Sequence, residues 1–385
     1  MITIKVDELS LSAIDDDTKP ESWPDVAVAL IADLGDYAGL IDPLGEPTPA
    51  PPLTGYTTGL DFGLHSFLCR ASFHETKPSM GVALRVSAQA LDYWRFATKW
   101  HVRTMLQGAL GMDDARARAR VRVTRIDLAA DFIGEGLSVD EVAHSIDQGA
   151  VAFYKMQKDG LLREISQGRR TLGENDEVQT LYMGSRKKNS KWLARLYNKA
   201  AEQKAQKGPH LAFALKHPDW SRLELELRHN YADQVGHFLA RCPDDAIADA
   251  ATGRYLNLGC QCWNVDGDGK PLKEQSWSAA LAQGELVPPL SSDYRSLLDL
   301  ENAYAYHATD SGLMSLLYRA EGVWGADAPR AMMEALLVEQ HLADPTVSTV
   351  QWLKKNAGDY ASCYSNVQEM LEEGAKRAEA RRQHV

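Results

Sequence analysis

The chain has 385 residues, 44% hydrophobic and 25% charged, a balance that excludes a disordered chain and predicts ordinary globular packing. No stretch approaches the roughly 18 apolar residues of a membrane helix, and the N-terminus lacks a basic segment followed by an apolar one. Five irregularly spaced cysteines (69, 242, 260, 262 and 363) predict a reducing, cytoplasmic setting rather than a disulfide framework.

The net charge of −11 argues at first against a nucleic-acid partner, but the charge is unevenly placed. Residues 1–50 carry eleven acids against Lys5 and Lys19 and run into five prolines between 43 and 52, which predicts an acidic arm and linker over 1–55. Such an arm is placed to shield a basic face, or equally to serve as a solubilising tail. Short strands are expected over 56–86 and an amphipathic helix over 87–108. The run Arg116-Ala-Arg118-Ala-Arg120-Val-Arg122 then leads into a strand over 119–132. Ser138 and Glu141 form a capping box that opens a helix to about 148.

Strands at 178–184 and 191–199 flank the basic turn Ser185-Arg186-Lys187-Lys188-Asn189-Ser190. Residues 181–207 hold eight cations against Glu202 alone. A helix over 200–207, a strand over 220–228 and a helix over 231–240 follow. Tyr255–Trp263 reads as a strand ending at the turn Asp266-Gly-Asp-Gly269. Beyond Pro288-Pro289 the periodicity is helical throughout. The predicted organisation is an arm and linker (1–55), an α+β core (56–288) and a helical C-terminal region (289–385).

Three segments alternate strictly between polar and apolar residues: Arg125–Asp131, Leu193–Lys199 and Arg222–Arg228. As strands they set Arg125, Asp127 and Asp131 on one face, then Arg195, Tyr197 and Lys199, then Arg222, Glu224, Glu226 and Arg228. Carboxylates, cations and a tyrosine on one sheet face suit metal-assisted phosphoryl transfer. Each segment also has a plainer reading, with Tyr197 a structural tyrosine at a strand end and Asp127 and Asp131 paired to cations.

In order and spacing, Arg125-Ile-Asp-Leu-Ala-Ala-Asp131, Thr180-Leu-Tyr-Met-Gly-Ser-Arg186 with Arg195-Leu-Tyr-Asn-Lys199, and Trp220-Ser-Arg-Leu-Glu-Leu-Glu-Leu-Arg228 resemble the Rep-trans type of rolling-circle replication initiator. The resemblance covers about 80–230 and rests on the combination of runs. It implies an antiparallel-sheet nickase core and origin-specific nicking and rejoining of single-stranded or hairpin DNA through a phosphotyrosyl intermediate. It also implies a host helicase and polymerase as partners, a homodimer, and a divalent cation, Mg²⁺ or Mn²⁺. Carried onto this chain, Tyr197 is the nucleophile, assisted by Arg195 and Lys199. Asp127, Asp131, Glu224 and Glu226 are the pool of metal ligands. Arg116, Arg118, Arg120, Arg122, Ser185, Arg186, Lys187, Lys188 and Lys191 are the expected DNA contacts.

A phenol near pKa 10 needs activation, which Arg195 and Lys199 on the same face are placed to supply. Tyr182, on the neighbouring strand, is the rival nucleophile. None of the eleven histidines stands two positions from another, so a metal held by a His-hydrophobic-His pair is excluded. Two readings stay open beside the nickase: a non-catalytic DNA-binding regulator of the same fold, and a metal-dependent phosphodiesterase that uses water. Cys242, Cys260 and Cys262 near His229 and His237 suggest zinc, but buried thiols are the simpler reading. Asn264–Gly269 mimics the opening of a calcium loop, although a hairpin turn fits the misplaced closing glutamate better.

Overall fold

The computed structural model describes residues 1–15, 22–64, 68–115, 119–157, 160–173, 176–185, 187, 190–282, 287, 290, 304, 312–342 and 366–382. The chain divides into two compact units, Met1–Ser292 and Asp293–Val385. The first is α+β. Its larger sheet is antiparallel and runs β2 (Thr48–Ala50), β3 (Thr58–Asp61), β4 (Cys69–Phe73), β5 (Val82–Val86), β1 (Ile2–Asp15), β6 (Ala119–Phe132), β12 (Ser221–Arg228), β11 (Trp192–Asn198), β10 (Val178–Gly184) and β9 (Gln167–Leu172). A smaller antiparallel sheet orders β14 (Pro271–Glu274), β13 (Gln261–Val265), β7 (Val151–Met156) and β8 (Leu162–Glu164).

The helices of the first unit are α1 (Trp23–Tyr37), α2 (Ile41–Leu44), α3 (Ala88–Thr98), α4 (Val102–Ala115), α5 (Val139–Asp147), α6 (Lys199–Gln206), α7 (Leu211–Lys216), α8 (Asn230–Ala240), α9 (Asp245–Gly259) and α10 (Ser276–Ala279). Among the described residues of the second unit, α11 (Gly312–Trp324) packs with α12 (Ala328–Leu342), and α13 (Val367–Arg382) follows.

The largest departure from the sequence reading is at the N-terminus. Residues 2–15 are not an arm but a long strand at the middle of the sheet, paired with β5 on one side and β6 on the other. Val6, Leu9, Leu11 and Ala13 are buried in the core, and Asp7 and Glu8 pair with arginines. Asp25, Asp33 and Asp36 stand on α1 and Asp42 on α2, and Asp16, Asp17 and Glu21 lie outside the described residues. A bulge between Val6 and Glu8 breaks the register with β6 and leaves Asp7 as the extra residue.

Two other boundaries move for local reasons. The single helix expected over 87–108 is two, because Lys99 adopts a left-handed conformation with φ of 61° and closes α3 through its N–H on the Arg95 carbonyl. Residues 255–259, expected to start a strand, end α9 instead. That helix opens where Asp244 Oδ1 accepts the Ile247 N–H at 2.8 Å, so the alternation begins only at β13. The Ser138 cap is present, its Oγ accepting the Glu141 N–H at 3.3 Å.

Core packing leaves α4 no room at Gly108. A Cβ there would stand 1.8 Å from the Tyr37 carbonyl oxygen, at the end of α1. Gly108→Ala is therefore expected to cost about 3 kcal/mol by forcing two backbones apart. A urea midpoint equal to the parent's would show that α1 and α4 separate at little cost.

Candidate functional site

In an antiparallel pair, residues directly opposite share a face, so the register assembles the site. Asp127 on β6 lies opposite Glu226 on β12 and Glu8 on β1, and Asp131 lies opposite Arg222. Across β11, Arg195 faces Glu224 and Tyr197 faces Arg222, while on β10 Tyr182 faces Arg195. The three alternating segments thus form one continuous polar face. A cavity of about 250 Å³ opens on it, lined by Arg125, Tyr182, Leu193, Arg195, Glu224, Glu226 and Arg228.

Each carboxylate of this face is met by arginine. Arg125 grips Asp127 with two bonds of 2.8 and 2.6 Å and also reaches Glu8 at 3.0 Å and Glu226 at 3.5 Å. Arg228 bonds Glu226. Arg195 donates to Glu224 Oε1, with Nη2 at 2.5 Å. Arg222 is held by Asp131 at 2.7 and 2.8 Å and by Asp7 at 3.0 Å, while the Trp220 indole donates to Asp131 Oδ1 at 2.7 Å. Lys5 adds an ion pair to Asp7 at 3.3 Å and one to Asp92 of α3 at 3.1 Å.

Tyr197 is only 5% exposed, and its hydroxyl donates to Glu224 Oε2 at 3.2 Å. The Arg195 guanidinium stands 5.0 Å and the Lys199 ammonium 5.5 Å from the ring centre. Arg195 pulls the phenol down as the spacing suggested, but not far enough to set the direction. Burial and the Glu224 charge raise it well above its ordinary value, against the pull of Arg222 and Arg195. Lys199 is buried and turned to Glu202, 2.5 Å away.

Burial raises Asp127 to about 8 against Arg125, with the charges of Glu224 and Glu8 adding to the rise. Burial also raises Glu224, against Arg195 and with Asp7 reinforcing it. Two buried carboxylates that arginines do not fully neutralise, next to Glu226, are hard oxygen donors of the kind Mg²⁺ or Mn²⁺ takes. As the side chains stand, no three His, Cys, Asp or Glu groups among the described residues are arranged to hold a metal. The donor chemistry of Asp127, Glu224 and Glu226 fits a hard cation. Asp131 has the same donor chemistry, and like Asp127 under Arg125 and Glu224 under Arg195 and Tyr197 it has both oxygens engaged, by Arg222 and Trp220.

Of the expected DNA contacts, Arg116, Arg118, Arg186 and Lys188 lie outside the described residues. Arg120 and Arg122 stand on β6 opposite Ile14 and Ser12. Ser185 and Lys187 are exposed in the β10–β11 turn, with the Ser185 hydroxyl accepting the Lys187 N–H at 3.2 Å. Lys191 lies 5.7 Å from the Tyr231 ring centre. Cys242, Cys260 and Cys262 are buried free thiols, and Asp266 closes a hairpin turn by accepting the N–H groups of Asp268 and Lys270 at 3.0 and 2.8 Å.

Asp7, Glu8, Lys5 and Trp220 belong to the polar network and were not singled out from the sequence. The signal was available for β1, where Leu9-Ser-Leu-Ser-Ala13 alternates cleanly.

The replication initiation factor family, Rep_trans, matches residues 121–291, which hold β6, β10, β11 and β12 but not β1. No curated protein matches the chain. Among solved structures it is similar to the rolling circle replication initiator protein from Geobacillus stearothermophilus, with a TM-score of 0.52 and 14% identity over 75% of this chain and 100% of that one. At that identity the likeness is one of fold. The chain contains a Rep_trans domain and is structurally similar to a rolling-circle replication initiator.

Proposed function

We propose that the polar face nicks and rejoins single-stranded origin DNA, as a rolling-circle replication initiator does. The observation that carries the reading is the Tyr197 hydroxyl on Glu224 Oε2 at 3.2 Å, with Arg195 on the other oxygen of the same carboxylate. In the forward step Tyr197 Oη attacks a backbone phosphorus and its proton passes to Glu224. The bond from phosphorus to the 3′ oxygen breaks, leaving a phosphotyrosyl link to the 5′ end. The departing 3′ oxygen takes a proton from water and becomes a free hydroxyl; rejoining runs the step backwards.

A raised carboxylate is a better base for a phenol than an ordinary one, and the burial that raises Glu224 serves this transfer. Arg195, at the cavity, is placed to offset charge developing on the phosphate oxygens. Asp127, Glu224 and Glu226 are the residues that would hold a divalent cation, whose chemistry there would be polarisation of the scissile phosphate. Arg120, Arg122, Lys187 and Lys191 are cations for the strand backbone on either side. The 3′-hydroxyl is the primer for a host polymerase, with a host helicase opening the duplex and a homodimer providing a second tyrosine for closure. No helix among the described residues is long and apolar enough to cross a membrane.

Labelled single-stranded origin oligonucleotide, incubated with the protein and Mn²⁺, tests this on a denaturing gel. The parent and Tyr182→Phe are expected to yield a covalent protein–DNA adduct and Tyr197→Phe none. Cleavage without an adduct would assign a water nucleophile, and no cleavage a non-catalytic regulator. An adduct that survives Tyr197→Phe but not Tyr182→Phe would move the chemistry to the cavity tyrosine.

A further inference from the structure

The β7–β8 pair sets Lys155 directly opposite Arg163, an arrangement of like charges that works against the sheet. Lys191, at the end of the basic turn, joins them from the other sheet. The Lys155 ammonium lies 5.0 Å from the Trp192 ring centre and 5.4 Å from that of Tyr231, and Lys191 lies 5.7 Å from Tyr231. Among the described residues no carboxylate forms an ion pair with any of the three cations. The contrast with the polar face is sharp, since there every arginine has its acid. Here two aromatic rings, Trp192 and Tyr231, stabilise the ammonium groups of Lys155 and Lys191. Burial, and then the charges of Arg163 and Lys191, pull the Lys155 ammonium down to about 8, so the charged form is held there at a cost to folding.

Trp192 is on the opposite face of β11 from Arg195 and Tyr197, because successive side chains alternate. Lys191 also links the two sides, its carbonyl accepting the N–H of Arg228, which lines the cavity. We propose that Lys155 and Lys191, mounted on Trp192 and Tyr231, with Arg163 across the β7–β8 pair, are a second anchor for the DNA phosphodiester backbone, on the opposite face of β11 from the nicking face. The occupant follows from the chemistry: three cations without acids want a polyanion, and the basic turn carries the path from one face to the other. This rests on the reading of the protein as a DNA-binding initiator.

The test measures binding of a labelled origin hairpin by anisotropy, without divalent metal so that no nicking enters, across a range of salt. Lys155→Met and Lys191→Met should each lower the slope of log affinity against log salt by about 1, and the double variant by about 2. Lys155→Arg should restore the parent slope. Melting temperature at neutral pH should not fall in Lys155→Met, because a repelled cation has been removed. Parent slopes in both variants, or a fall in melting temperature with an unchanged slope, would overturn the anchor while leaving DNA binding intact. Failure of the parent to bind DNA at all would overturn the functional reading and the anchor together. Inorganic pyrophosphate is the second arm: binding lost with it but kept with DNA would assign a free-anion site and reject the backbone.

Discussion

Deletion of residues 1–15 is expected to leave no cooperatively folding protein. β1 lies between β5 and β6, so its removal exposes two ladders of unpaired backbone groups and separates β2–β5 from β6, β12, β11, β10 and β9. Val6, Leu9 and Leu11 are fully buried, and at about 1.5–3 kcal/mol each their loss alone consumes much of a typical domain's stability of about 5–15 kcal/mol. The electrostatic loss adds to this. Asp7 is an ion-pair partner of the buried Arg222, and Glu8 bonds both Arg85 and Arg125. Arg222 keeps Asp131 and Arg125 keeps Asp127, so the truncation weakens these networks without stranding either cation. A solubilising or shielding arm predicts the opposite: unchanged thermal melting and, for a shield, tighter non-specific DNA binding at low salt. Circular dichroism melting of the truncated chain separates the two, and a parent-like transition would refute the central strand.

That strand also shows where sequence reasoning ran short. Counting charge over residues 1–50 averaged β1 with α1 and the segment after it, and the acids hid a regular alternation. Alternation served well on β6, β11 and β12, because a period of two is a property of each strand by itself. It therefore identified Asp127, Tyr197, Arg222, Glu224 and Glu226 as sharing one polar face. Partner choice is not local. Nothing in the spacing says that Arg222 would take Asp131 and Asp7, or that Lys199 would turn to Glu202 and leave the phenol raised by burial. The Lys155 anchor was illegible for the same reason, as it joins β7, β11 and α8 from two sheets and a helix.

Glu224→Gln is expected to slow formation of the tyrosyl adduct by about 10²–10⁴-fold while leaving oligonucleotide affinity nearly unchanged. The glutamine has the same shape, its carbonyl can accept from Arg195 and its amide can donate to the Tyr197 oxygen, and the backbone pairing of Arg195 with position 224 is unchanged. What it cannot do is take the phenol proton. The pH dependence of stability gives a second readout with a definite sign. Burial raises Glu224 above its ordinary value of 4.5, so the folded parent binds more protons than the unfolded chain as pH climbs past that value. Its stabilisation is complete below the unfolded pKa and is lost as pH rises through the folded one. The variant has no such loss, so its stability relative to the parent should improve as pH rises above the ordinary carboxyl value of 4.5 in urea titrations. An unchanged adduct rate would mean that the Tyr197 proton leaves by another route. An unchanged stability difference above that value would mean that Glu224 stays ionised throughout, held by Arg195 alone.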